Sequence, residues 1–197
     1  KNTAKHPLLE QPWAFGLSFI AILLSVHFLV HATIGFLGGE HPPAPPSTLD
    51  SISPEAQELV RGALEGIPEN GWLDYHTHII GIGYGDTGAW VNPAMLSPLK
   101  PSRYARFHIF RTGAGVKNID RADAEYIDRL VSLIESAPGK SRHVILPFDA
   151  HHNEDGKKEL AHSDFFVPNE YVFSLAAKHP LTFIPAISVH PYRKDAI

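Results

Sequence analysis

A chain of 197 residues is long enough for one ordinary domain with an appended segment. With 44% hydrophobic and 19% charged residues it has the composition of a protein with a packed core. A net charge of −4 lacks the Lys/Arg excess that phosphate binding needs, which argues against a nucleic-acid partner. There is no cysteine, so thiolate metal sites, disulfide scaffolds and cysteine nucleophiles are excluded, while thirteen histidines raise metal chemistry of another kind.

Neither Lys1 nor Ile197 reads as a natural terminus, and the expectation is a piece of a longer protein. Residues 1–12 form a short tail carrying Lys1 and Lys5. Residues 13–39, "WAFGLSFIAILLSVHFLVHATIGFLGG", contain no Asp, Glu, Lys or Arg. As a helix this run would rise about 40 Å, enough to cross roughly 30 Å of hydrocarbon. The preceding lysines place the tail in the cytoplasm and the rest of the chain on the extracytoplasmic side. A cleaved signal peptide is the competing reading, but the run is longer than such a segment needs and "LGGEHPPAPPS" offers a poor cleavage site. His27 and His31 lie one turn apart within it and read as neutral side chains reaching the interface. Residues 40–52, with Pro42, Pro43, Pro45 and Pro46, read as a stiff linker.

A soluble domain follows from residue 53. Ser53, Pro54 and Glu55 are a helix start, and Ala56, Leu59, Val60, Ala63 and Leu64 continue at helical spacing. "WLDYHTHII" reads as the first strand. A long loop region then runs over residues 81–118, with a short helix expected in "SRYARFHIF". "DRADAEYIDRLVSLIESA" is an amphipathic helix with Ile127, Leu130, Val131 and Ile134 on one face, stopped at Pro138 and Gly139. "HVILPFD" reads as a second strand buried on both faces, "NEYVFSLAAKH" as the next helix, and "LTFIPAISVH" as a third strand. Alternating helices and strands predict an α/β fold with a parallel sheet.

Polar residues of one kind close each strand: His76 and His78, then Asp149 with His151 and His152, then His190. Active sites of parallel α/β folds collect at these C-terminal ends. In a strand, residues i and i+2 share a face, so His76 and His78 project together and can converge on one cation such as zinc. Even alternation puts Asp74 on that face too, as a hydrogen-bond acceptor behind the ligands. His151, His152 and Glu154 read as a solvated loop, with His151 a candidate substrate contact. Asp149 is a candidate for a polar group at the mouth of the site or for a helix-side cap. His190 is a candidate pocket residue, and His143 and His179 read as surface residues. "GYGDTG", Gly83 to Gly88, matches a dinucleotide fingerprint in letters only. No helix is expected to open there, and no acid follows until Asp120. It reads as an active-site loop or a plain turn cluster. Tyr84, Trp90 and Arg111 are candidates for lining a pocket or for surface packing.

The run "LDYHTHIIGIG" resembles the first-strand metal motif of the amidohydrolase superfamily. "VPNEYVFSLAAKHPLTFIPAISVHPYRKDA" is similar to its amidohydrolase-related branch of metal-dependent hydrolases. The resemblance spans residues 53–197. It implies the N-terminal portion of a (β/α)8 TIM barrel, preceded by the transmembrane helix, with a divalent metal, most often zinc, on His76 and His78. It also implies a metal-activated water attacking a carbonyl-like centre of a small molecule, although some relatives are decarboxylases. A barrel takes about 250 residues, so the catalytic aspartate and the other ligands of the family are expected beyond Ile197. Two rivals stand beside this reading. One is a phosphoesterase with an Asp-x-His-x-His strand and a histidine-rich metal site. The other is a membrane-anchored binding protein without catalysis.

Overall fold

The computed structural model describes residues 12–38, 52–68, 71–137, 139 and 141–196. The tail at 1–11, most of the linker and Pro138 lie outside the described residues. Helix α1 (Pro12–Gly38) is predominantly apolar, and the stretch Phe15–Ile34 is long and apolar enough to cross a membrane. Its side chains are exposed all round the helix; Leu24 is 64% and Phe28 75% accessible. Its last turns meet protein. There Ile34 is buried, and the His31 ring lies 6.4 Å from that of His108.

Helix α2 (Pro54–Leu64) starts as its sequence dictates, with the Ser53 hydroxyl accepting the Ala56 N–H and Pro54 in the first turn. Strand β1 (Leu73–His78) follows. The segment expected to be mostly loop holds more structure than its composition announces. It contains strand β2 (Trp90–Val91), helix α3 (Pro93–Leu96) capped by Asn92, and helix α4 (Pro101–Gly113). Both helices start on a proline, which supplies the fixed backbone angle of a first turn and gives up an N–H that would be unpaired there.

A 3₁₀ turn (Ile119–Arg121) leads into α5 (Ala122–Ser136), then β3 (Arg142–Leu146), β4 (Phe165–Phe166), α6 (Asn169–Lys178) and β5 (Phe183–Pro185). Strands β1, β3 and β5 form a parallel sheet in that order, so the chain is mixed α/β as its pattern predicts. One face of this sheet is dry. Ile79, Ile145 and Phe183 pack there with Ile127 and Ile134 of α5 and Val172 and Leu175 of α6. On the other face Val144, Leu146 and Ile184 are only half-buried. The second strand is therefore covered on one side, not on both. The short β2 and β4 pair antiparallel and tie the loop after β1 to the loop after β3. A small second core of Val91, Met95 and Phe107 lies beneath them.

Two strands are shorter than their apolar runs. Pro147 lacks the N–H that would extend β3 along its neighbours, and β5 stops opposite that break, with Ala186 making one last bond to Ile145 O. His190 therefore lies in the loop beyond β5 rather than at a strand end. The larger departure is in β1. Asp74 is paired with His143 and Thr77 with Ile145, so three steps on β1 match two on β3. That slip is a β-bulge, and it reverses which face Asp74 occupies relative to Thr77 and His78.

Candidate metal site

His76 and His78 close β1 at its C-terminal end, and their rings converge. The two Nε2 atoms are 3.0 Å apart and the rings meet edge to face. Two nitrogens bound to one tetrahedral zinc at 2.0–2.1 Å would stand about 3.3 Å apart. The pair as it stands is thus within a few tenths of an ångström of a chelating bite. At this distance an Nε2–H of one ring can donate to the Nε2 lone pair of the other.

Each member of the pair is positioned from behind. The Asp74 carboxylate accepts the backbone N–H of His76 at 2.8 Å. Its other oxygen lies 3.6 Å from Nδ1 of His143. Because of the bulge, Asp74 sits on the His143 side of the sheet. It supports His76 through the main chain and not, as even alternation predicts, through an imidazole. The His78 carbonyl accepts the Tyr126 hydroxyl at 2.6 Å, and the His78 ring stacks on Phe148 at 4.5 Å between centroids. Burial pushes the Tyr126 hydroxyl up to about 12, so it stays a donor throughout the neutral range. Burial, and then the neighbouring His76, lower the pKa of His78 from its ordinary value, which keeps the imidazole neutral and its lone pair available at neutral pH. Its Nδ1 is buried with no hydrogen-bond partner among the described residues. The pair borders an open recess of about 390 Å³ beside β1, which Trp72 and Leu133 also line.

Among the described residues no third His, Asp or Glu joins the pair in a metal-holding group. The other sequence candidates gather separately. Asp149 is almost fully buried and accepts from the N–H groups of Ala150 and His190, both at 2.8 Å, and from Arg193 at 3.1 Å. Burial alone would raise its pKa, but these donors hold the carboxyl below its ordinary value. Asp149 is therefore a latch between the loops after β3 and β5. The His190 ring lies 5.3 Å from that of His151 and 5.4 Å from that of His152. His151 is half-buried. His152, expected in a solvated loop, is buried and its Nδ1 bonds to Ala150 O at 2.9 Å.

Three contributions escape sequence reasoning. His143 is a buried strand residue, not a surface one. Thr77 Oγ1 and Ser141 Oγ hold its two ring nitrogens at 3.0 and 2.8 Å. His179 is half-buried, edge-on to Phe183, and ends α6. Asp123 is buried at the start of α5 and accepts the N–H groups of Ile82 and Gly83 and the Thr87 hydroxyl, which anchors the glycine loop. Space as well as φ dictates glycine in that loop. A Cβ on Gly81 would lie 2.7 Å from the Asp123 carboxylate, and Gly83 has φ +101. Of the loop candidates, Trp90 falls on β2, Tyr84 is exposed, and Arg111 borders an apolar cavity beside the glycine loop.

No family model matches the chain, and neither a characterised protein nor a solved structure is found to be similar to it.

Proposed function

We propose that the chain is the opening part of a membrane-anchored, metal-dependent hydrolase of the amidohydrolase-related type, acting on a small molecule outside the cytoplasm. The observation that carries this reading is the 3.0 Å approach of the His76 and His78 Nε2 atoms at the C-terminal end of the first parallel strand. Strand order supports the barrel. Each new strand is added on the same side, in the order β1, β3, β5, whereas a doubly wound sheet reverses direction at its switch point. The half-buried face of the sheet, carrying Val144, Leu146 and Ile184, supports it too, since parallel sheets are covered on both faces and a barrel covers one with itself.

In this reading His76 and His78 supply two donors to a divalent ion, zinc by the softness of imidazole, and the strands that complete the barrel supply the rest. When bound, the ion contributes Lewis acidity and a water acidic enough to act as a nucleophile at neutral pH. Asp74 fixes the backbone of His76, Tyr126 that of His78, and Phe148 sets the plane of the His78 ring. Helix α1 spans the bilayer, because an all-round apolar helix without protein cover is costly in water, and Lys1 and Lys5 keep its start cytoplasmic.

The test is turnover by the full-length protein on a panel of small amides, esters and lactones, before and after chelation. The reading expects turnover that chelation abolishes and zinc restores. Turnover indifferent to chelation would contradict it, and release of carbon dioxide without hydrolysis would move the reaction to decarboxylation.

A further inference from the structure

The end of helix α1 is packed against α4. The His31 ring lies 6.4 Å from that of His108, and Ile34 is buried. Leu37 borders an open recess of about 480 Å³ together with Ile109, Phe110 and Ala114. The stretch Phe15–Ile34 rises about 30 Å as a helix, which matches the hydrocarbon thickness of a bilayer. In the membrane reading of α1, Ile34 therefore stands at the edge of the hydrocarbon and Leu37 among the headgroups. What packs on these residues is held at the same depth, and that is the C-terminal half of α4.

Helix α4 has a composition suited to that depth. It holds Arg103, Arg106 and Arg111 with Tyr104, Phe107 and Phe110, and no Asp or Glu. Basic and aromatic side chains together favour the boundary between lipid and water. Phe107 is taken up by the small second core, and Arg103 and Arg106 pair with Asp164. Phe110 is different: it stays 48% exposed at the rim of the recess. Tyr126, whose hydroxyl donates to the His78 carbonyl, lines the recess as well, so the histidine pair is one side chain away.

We propose that Phe110 and this recess are the face on which the domain rests against the bilayer, covered by lipid of the leaflet at the C-terminal end of α1. The occupant follows from the packing. The helix that enters the membrane is the one packed on α4, so the recess stays at the membrane surface while that packing holds. Lipid over Phe110 and the recess removes apolar surface from water, which stabilises the seat. The arrangement holds for either orientation of α1, because the domain follows its C-terminal end in both. The histidine pair then lies close to the bilayer surface. The proposal rests on the membrane reading of α1 and neither on metal binding nor on hydrolysis.

The experiment places a nitroxide on the full-length protein in phosphatidylcholine nanodiscs, through Phe110→Cys as the sole cysteine. Electron paramagnetic resonance then compares collisions with oxygen, which concentrates in lipid, and with a water-soluble nickel chelate. Leu181→Cys, in the 86% exposed position before β5, is the aqueous reference, and Leu24→Cys within α1 is the lipid reference. The expected oxygen-to-chelate ratio at position 110 is several-fold above that at 181 and below that at 24. Equal ratios at 110 and 181 would overturn the proposal. A label at 110 reached by neither reagent would overturn it too, because protein and not lipid would then cover the recess. Ala114→Cys gives the same reading if Phe110→Cys fails to fold. A lipid ratio at 24 beside an aqueous one at 110 would refute the seat and leave the anchor standing. An aqueous ratio at both positions, or a mature protein without residue 24, would refute the membrane reading and the seat with it.

Discussion

Asp123 is 1% exposed, and its two oxygens collect three donors from residues about forty positions earlier in the chain. In the sequence it is one acid among several on an amphipathic helix, and nothing local marks it as the anchor of the glycine loop. Replacing it with alanine leaves the Ile82 and Gly83 N–H groups without their acceptor, which should cost about 3 kcal/mol in denaturant unfolding; a change below about 0.5 kcal/mol, the scale of an ordinary surface substitution, would contradict the clamp.

His143 makes a pH-dependent prediction at the same scale. Burial lowers its pKa below the ordinary 6.5, against an opposing pull from Asp74. As the pH falls through 6.5 the unfolded chain takes up this proton before the folded one does. Stability therefore falls over that interval and levels off below the folded-state value. Asp149 has the opposite chemistry and a lower window. Its folded pKa is held below 3.8, so its contribution is present above 3.8 and lost as the pH falls through the folded value. Urea unfolding against pH should show His143→Gln reducing the upper loss and Asp149→Asn removing the lower one. His78 and His108 shift in the same direction as His143, so the upper loss is reduced rather than abolished. An upper loss as large in His143→Gln as in the wild type would contradict the assignment.

At the scale of elements, helices are legible in this sequence because their signals are local. Ser53 and Pro54 start α2 where they should, and the period of Ile127 and Ile134 puts both against the sheet. Strands are legible in place but not in length or phase. The alternation in "LDYHTH" carries no sign of the bulge that moves Asp74 to the other face, since a bulge is set by the partner strand. Pro147 could have been read as the end of β3. Helix α2 shows the converse, for it forms as expected yet buries no residue, and Leu59 is 75% exposed. Ser53→Ala should cost that helix about 1 kcal/mol. It should speed amide exchange over residues 54–64 without moving the unfolding midpoint of the sheet. A lowered midpoint would show that α2 is part of the core.

For the whole molecule, composition foretells the apolar helix, and the pattern of elements foretells the parallel α/β sheet. The histidine pair is legible because period-2 geometry needs only two letters, and its members do converge. The grouping of Asp149, His151, His152 and His190 depends on how two loops fold against each other, which spacing does not encode. The central claim is that His76 and His78 hold a divalent metal. Its most direct test is elemental analysis of the purified full-length protein beside a His76→Ala/His78→Ala variant shown by circular dichroism to be folded. The account predicts stoichiometric zinc or another divalent ion in the wild type and its loss in the variant. No stoichiometric metal in the wild type, or equal metal in both proteins, would contradict it.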